Sequence, residues 1–427
     1  MKFNDINLNE KIIEVIHEQG FDELTQIQEK CIPEILNGYN VVGQAETGSG
    51  KTLAFCLPIL DKIIPGNGVQ AVVVTPTREL CVQVKDEFST FGKKRKIKAM
   101  SVYGGVKIDQ QIKNLRTADV VVATPGRMLD HIRRRTIDFR NVVFLVLDEL
   151  DKMFEMGFVE DVEDIIYEIP RERQILMFSA TITNDVNGLI NKHAKNPLII
   201  RTKSFVDPGK LKQVFYEIHE RNDKFSILLH LLKANRGGLS IIFCATRAEA
   251  DVLDKNLRQQ NVKVSAIHGG MKQNRRMRSL NALKEQKTEV LVATDVAARG
   301  LDIKNVTAIY NYDVPQTSKD YTHRIGRTAR AGEEGIAITL LTKRDHDNFR
   351  RVQGADEHEI EEKQIPDFRR VPFKRRIEKK KDWKKPNNYR RKKPLNDRGP
   401  GQKDDRKKKY YHQKRSYNKG RKKPVQR

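Results

Sequence analysis

The chain has 427 residues, of which 38% are hydrophobic, and a formal net charge of +25. At about 150 residues per domain, this length excludes a single small module and allows about three segments. The charge is concentrated: residues 369–427 hold 27 Lys and Arg against 5 Asp and Glu, a net +22, which leaves +3 on the first 368 residues. A nearly neutral body with a strongly basic arm points to a folded enzyme or binder that meets a polyanion, nucleic acid first of all.

Cys31, Cys56, Cys81 and Cys244 are scattered without a C-x-x-C or Cys/His spacing, which argues against a disulfide scaffold or a structural zinc. The N-terminus alternates charged and apolar residues and lacks a signal-peptide core, and apolar runs such as 142–147 are too short to span a bilayer. The expectation is a soluble, cytoplasmic protein with no membrane partner.

In chain order, β-branched runs at 41–42, 71–75, 99–103, 120–123, 144–147, 175–178 and 198–200 alternate with segments of helical period. A second series follows at 213–219, 240–244, 263–267, 290–293, 308–311 and 336–341. This predicts an α/β fold with parallel sheets covered by helices. Turn formers and charge at 203–210 mark a linker, which gives domains at 1–202 and 211–362 and a basic, disordered tail at 363–427. The glycine-bearing and charged clusters follow strands, where loops of an open α/β sheet bind ligands.

The run Ala45, Glu46, Thr47, Gly48, Ser49, Gly50, Lys51, Thr52 lies between a strand and a helical segment. That is the setting of a phosphate cradle, with Lys51 for the β and γ phosphates and Thr52 for Mg²⁺. Ala45 stands where the general pattern has its first glycine. The strand at 144–147 ends in Asp148 and Glu149. Adjacent acids at a strand end are usually just solvated. Opposite a phosphate loop, Asp148 suits Mg²⁺, largely through water, and Glu149 suits the attacking water.

With AETGSGKT, PTREL, GG, TPGR, DELD, SAT, TDVAARGLD and HRIGRTAR in this order, the chain resembles the DEAD-box family of ATP-dependent RNA helicases from about Phe3 to Leu341. The resemblance implies two tandem RecA-like domains, RNA-stimulated ATP hydrolysis with ATP and Mg²⁺, and local unwinding of short duplexes or remodelling of RNA–protein complexes. It implies adenine recognition by Phe21, which stacks, and Gln28, which bonds the base edge. Asp302 would meet the ribose, with Asp295 and Gly300 nearby, and Arg327 and Arg330 would be arginine fingers on one helical segment. Asp151 would link Ser179 and Thr181 to His323. Leucines replace the usual proline at Leu24 and the usual alanine at Leu150.

By the same resemblance, Arg78, Gly105, Thr124, Arg127, Arg247, Gly270, Arg276 and Thr294 would hold the RNA backbone, independent of sequence. The tail interleaves its charge with Trp383, Tyr389, Tyr410, Tyr411 and Tyr417, a composition suited to single-stranded RNA or to ribonucleoprotein and ribosomal surfaces. The chain is expected to act as a monomer. A DNA helicase of the same superfamily and a non-hydrolysing RNA clamp are the rival readings.

Overall fold

A computed structural model describes residues 1–46, 48–202, 210–235, 237–298, 303, 305–329, 334–354 and 359–375. Among the described residues the first lobe carries strands β1 (Val41–Gln44), β2 (Ala71–Val74), β3 (Ala99–Val102), β4 (Val120–Ala123), β5 (Phe144–Leu147), β6 (Gln174–Ser179) and β7 (Leu198–Arg201). Helices α1 (Glu10–Glu18), α2 (Gln26–Leu36), α3 (Lys51–Lys62), α4 (Arg78–Phe91), α5 (Ile108–Leu115), α6 (Pro125–Arg133), α7 (Leu150–Glu155), α8 (Val159–Glu168) and α9 (Asn184–His193) accompany them.

The second lobe contains β8 (Leu211–Ile218), β9 (Leu239–Phe243), β10 (Val264–Ile267), β11 (Val290–Ala293), β12 (Val306–Asn311), β13 (Gly335–Thr342) and β14 (Glu361–Glu362). Its helices are α10 (Lys224–Ala234), α11 (Arg247–Gln259), α12 (Gln273–Lys284), α13 (Asp295–Ala298), α14 (Ser318–Ile325) and α15 (His346–Gln353).

Both sheets are parallel, and their orders, β3-β4-β2-β5-β6-β1-β7 and β10-β11-β9-β12-β13-β8-β14, match position for position. Alternating side chains explain why these strands are apolar throughout. Val73, Val122 and Val146 enter one core layer of the first lobe, whereas Val72, Val74, Val121, Leu145 and Leu147 enter the other. The second lobe repeats this with Ile241 and Leu291 on one side and Ile242, Val290 and Val292 on the other.

The order places β5, β6 and β1 side by side, so the phosphate loop, Asp148–Glu149 and the SAT loop all leave the same edge. The departures from the family pattern have local solutions. Leu24 donates its N–H to the Met1 carbonyl at 3.0 Å, a bond proline cannot make, and Leu150 is fully buried in a core layer.

The second lobe runs past the expected boundary at 362. Glu361 and Glu362 pair with Val214 and Phe215 as β14, which breaks no helical or apolar pattern and therefore leaves no sequence signal. Ile365, Phe368, Val371 and Phe373 then pack on the second-lobe core, with Phe373 stacked on Phe225 at 4.9 Å. Arg370 pairs with Asp223 at 2.8 Å. Their apolar contacts, not the local charge, decide where the body ends. The remaining basic segment lies outside the described residues, as do residues 203–209 of the linker.

Candidate nucleotide and RNA site

The phosphate loop turns through Gly48 and Gly50, with φ of +87° and +93°, a conformation that favours glycine. A Cβ on Gly50 would lie 2.5 Å from Gln28 Nε2, so the loop also needs glycine for close approach. Gln28 is buried, donates from Nε2 to the Gly50 carbonyl at 3.1 Å and accepts the Thr25 N–H at Oε1 at 3.0 Å. Each amide atom retains one further hydrogen-bonding position. The structure thus places Gln28 against the phosphate loop, while Phe21 sits half-buried near Phe91, with ring centroids 6.4 Å apart.

Lys51 opens α3 and is buried, and its ammonium donates to the carbonyls of Ala45 at 2.5 Å and Glu46 at 2.7 Å. Ser49 Oγ also donates to the Glu46 carbonyl, at 2.7 Å. Thr52 follows in the first turn. Burial pushes the Lys51 ammonium down, opposed by Asp148 and Glu149. Thr47 lies outside the described residues.

Asp148 and Glu149 end β5 with 2% and 6% exposure. Burial, then the neighbouring Glu149 charge, pushes the Asp148 carboxyl up to about 7. Glu149 is likewise pushed up by burial and pulled back by Arg327 and Lys51. Its backbone is left-handed, with φ +52°, and its Oε2 is buried with no hydrogen-bond partner. Two buried carboxylates, one with an orphaned oxygen, beside a lysine are a donor set that fits a hydrated divalent cation and a nucleophilic water.

Asp151 joins the neighbouring loop. Its Oδ2 accepts the N–H of Thr181 at 3.1 Å and its hydroxyl at 2.9 Å, and its own N–H donates to Ser179 Oγ at 3.2 Å. His323 from the second lobe meets the next residue instead: its Nδ1 is 3.0 Å from Lys152 Nζ. Lys152 also pairs with Glu155 at 3.1 Å, and Glu155 with Lys319 at 2.6 Å. Lys152, Glu155 and Lys319 belong to no family motif, and no spacing along the chain ties Lys319 of the second lobe to the first.

Arg324 and Arg327 of HRIGRTAR do not share one helix. Helix α14 ends at Ile325, Gly326 follows it as the cap, and Ala329 is left-handed at φ +54°. Arg324 is buried and grips Asp295 through both carboxylate oxygens at 2.6 and 2.7 Å, so both residues serve the second lobe's own structure. Arg327, past the helix end, is buried where its charge acts on both Glu149 and Lys51 of the first lobe. Gly300, Asp302 and Arg330 lie outside the described residues.

The matched sheet orders bring out an equivalence between the two sets of RNA candidates. In the first lobe, Arg78 begins the helix after β2 and lies over the turn after β3, where a Cβ on Gly104 would be 3.1 Å from its Nη2 and one on Gly105 would collide with its Nη1. In the second, Arg247 begins the helix after β9 and lies over the turn after β10, where a Cβ on Gly269 would be 3.2 Å from its Nη2. Gly270 continues that turn and donates its N–H to His268 Nδ1 at 3.3 Å.

Thr124 and Thr294 repeat each other too, each following the strand beside the edge strand and donating its N–H to that edge strand's last carbonyl, at 3.0 and 3.4 Å. Arg127 donates to the Val106 carbonyl at 3.1 Å and to Gln111 Oε1 at 3.0 Å, where His131 Nε2 also meets it at 3.1 Å. Arg276 differs from the rest. Its Nη2 is 2.9 Å from Glu79 Oε2 of the first lobe, which makes it an interlobe bridge, while its buried Nε has no partner.

Residues 25–189 match the DEAD/DEAH box helicase family and residues 223–332 the helicase conserved C-terminal domain. The ATP-dependent RNA helicase CshA of Listeria monocytogenes is 44% identical over 368 residues, covering 86% of this chain and 71% of that protein. The DEAD-box ATP-dependent RNA helicase CshA of Bacillus subtilis is 41% identical over 367 residues, 85% of this chain and 74% of that one.

Among solved structures, S. cerevisiae Dbp5 bound to RNA and ADP BeF3 is 30% identical with a TM-score of 0.78, covering 85% of this chain and 96% of that one. A DEAD box protein from Methanococcus jannaschii is 39% identical but has a TM-score of 0.53, covering 85% of this chain and 99% of that one. With this identity sustained across both lobes, the chain belongs to the family of DEAD-box ATP-dependent RNA helicases.

Proposed function

We propose that the chain hydrolyses ATP in the cleft between its lobes when RNA lies across both, and that closure of the cleft locally opens duplexes or displaces bound proteins. One observation carries this reading: Arg327 of the second lobe is buried, and its charge acts on Lys51 and Glu149 of the first. Hydrolysis then depends on closure, because a positive charge that stabilises the transferring phosphoryl group acts only at contact distance, and such an arginine contributes about 10³ to 10⁵ in rate.

In this mechanism Lys51 releases the loop carbonyls and takes the β and γ phosphates. Glu149 Oε2, without another partner, accepts a hydrogen bond from the attacking water and orients it. Thr52 and Asp148 would hold Mg²⁺, largely through water, and the cation would neutralise phosphate charge. Gln28 uses its remaining valences on the adenine edge and Phe21 stacks on the base. Asp151, through Ser179 and Thr181, ties the hydrolytic carboxylates to the adjacent loop, and Lys152 carries that link to His323.

Arg78, Gly105, Thr124 and Arg127, with Arg247, Gly270 and Thr294, form two equivalent cradles for one RNA backbone, and Arg276 offers its Nε to the strand between them. The proposal also includes Thr47 at the phosphates, Asp302 at the ribose, Arg330 as a second finger, and the basic tail as a tether to RNA or ribonucleoprotein surfaces. It places a monomer in the cytoplasm, where a reducing environment suits four buried free thiols.

The test is Glu149→Gln. Binding of ATP and RNA is expected to persist while RNA-stimulated phosphate release stops; full turnover in this variant removes Glu149 from the mechanism. Matched RNA and DNA strands as stimulators separate this reading from a DNA helicase.

A further inference from the structure

Along the outer edge of the first lobe's sheet runs an open groove of about 590 Å³, between β3, α4 and α5. Four lysines line it, Lys85, Lys98, Lys107 and Lys113, and no carboxylate does. Lys85 is paired with Asp86 at 3.0 Å, whereas Lys98, Lys107 and Lys113 are exposed and their ammonium groups make no ion pair among the described residues; Lys98 gives only its backbone N–H to Asp119, at 2.8 Å. The floor is partly apolar, with Met100 and Tyr103 half-buried. This body carries a net charge of only +3 outside its tail, so like charges gathered around one concavity are a local feature. A cleft lined by one sign of charge focuses potential on a ligand of the opposite sign.

Two observations choose among polyanions. The groove is continuous with the proposed RNA track: the turn that closes it carries Gly104 and Gly105 beneath Arg78, and the Val106 carbonyl held by Arg127. The stretch from Lys98 to Tyr103 follows an extended strand, roughly 17 Å long at the usual rise per residue. Lysines on the rim with an aromatic and a thioether on the floor suit phosphates outside and bases inside. The chain's own tail, at +22, is excluded as the occupant by its charge.

We propose that this groove binds single-stranded RNA flanking the segment held between the lobes, so that the first lobe grips the substrate beyond the clamp. The inference rests on the RNA track described above and extends it around the edge strand. It gives the enzyme a preference for RNAs with an unpaired extension on the side that leaves the clamp over Gly105.

The test uses the full chain and the triple variant K98Q/K107Q/K113Q, whose residues are exposed and outside the catalytic cluster. Two RNAs are compared: the shortest oligouridylate that fully stimulates ATP hydrolysis, and the same strand extended at either end. ATPase on the short strand is expected to be unchanged by the substitutions. For one extended strand the slope of log K against log salt should fall by about 2, at about 0.7 per lost phosphate contact.

A 4-thiouridine in that extension should crosslink within residues 98–113. Crosslinks confined to 369–427, or an unchanged salt slope, overturn the proposal. Loss of polyglutamate binding with RNA binding intact assigns the groove to an acidic protein partner and also overturns it. A wild-type chain whose ATPase ignores RNA refutes the clamp itself, a result distinct from failure of the groove alone.

Discussion

Glu79→Gln separates two roles for Arg276. The Glu79–Arg276 pair joins the lobes at 2.9 Å, with side-chain exposures of 3% and 14%. At an effective dielectric of about 20 and a charge separation of about 4 Å, the gross attraction is about 4 kcal/mol. Desolvation of both ions opposes it; burial already pushes the Arg276 guanidinium below its usual range. A net contribution to the closed form of about 2 kcal/mol remains, about 30-fold in the closing equilibrium.

The open form has no such pair, so neutralising Glu79 should weaken RNA binding about 30-fold with a non-hydrolysable ATP analogue and leave nucleotide-free binding unchanged. Fluorescence anisotropy of a labelled single strand, with and without analogue, reads both. Arg276→Ala should lose more, because it also removes the Nε donor proposed for RNA. If Glu79 merely restrained a phosphate-binding arginine, Glu79→Gln would tighten RNA binding with or without nucleotide, and that result refutes the bridge. Equal losses in both variants would instead confine Arg276 to the bridge.

Two further predictions concern the contacts beside DELD. Although burial pushes its carboxyl up, Glu155 is held down at about 2 by hydrogen bonds and charges from Lys319 and Lys152. The Glu155–Lys319 pair is partly exposed, so its contribution to closure is about 0.5–1 kcal/mol, and Lys319→Glu should raise the RNA concentration for half-maximal ATPase two- to fivefold or more. The exchanged pair E155K/K319E should recover part of that loss, the rest being the Lys152–Glu155 pair that it also removes; no recovery denies direct contact between the lobes here.

His323 is pushed down to about 4, first by burial and then by Lys152, with Lys319 and Arg327 adding to this and Asp151 opposing it. In the open form it titrates nearer 6.5, so the closed form is fully favoured above about pH 6.5 and is disfavoured as pH falls from there towards 4. Analogue-dependent RNA affinity should therefore drop between pH 7 and 5.5 and do so less in His323→Gln. An identical pH profile in this variant places the titrating group elsewhere.

Most of the fold and the nucleotide loop are legible in the amino-acid order, for a local reason. Buried parallel strands such as Ala71–Val74 and Val120–Ala123 must be apolar on both faces, and a phosphate loop needs Gly48 and Gly50 within a few residues of Lys51. Both constraints leave short-range patterns. Charge misled at the C-terminal boundary, because Ile365, Phe368, Val371 and Phe373 lie among basic residues yet pack on the second lobe. Helical spacing misled at HRIGRTAR, because α14 ends at Ile325 with Gly326 as its cap and leaves Arg327 beyond the helix.

The long-range pairings emerge with the folded arrangement alone. The Glu79–Arg276 bridge, the Lys152–His323 contact, the likeness of the Arg78 and Arg247 cradles and the lysine groove along β3 join residues far apart in the chain. Coulomb forces and hydrogen bonds act through space, and residues brought within a few ångströms by two separate sheets carry no fixed spacing along the backbone.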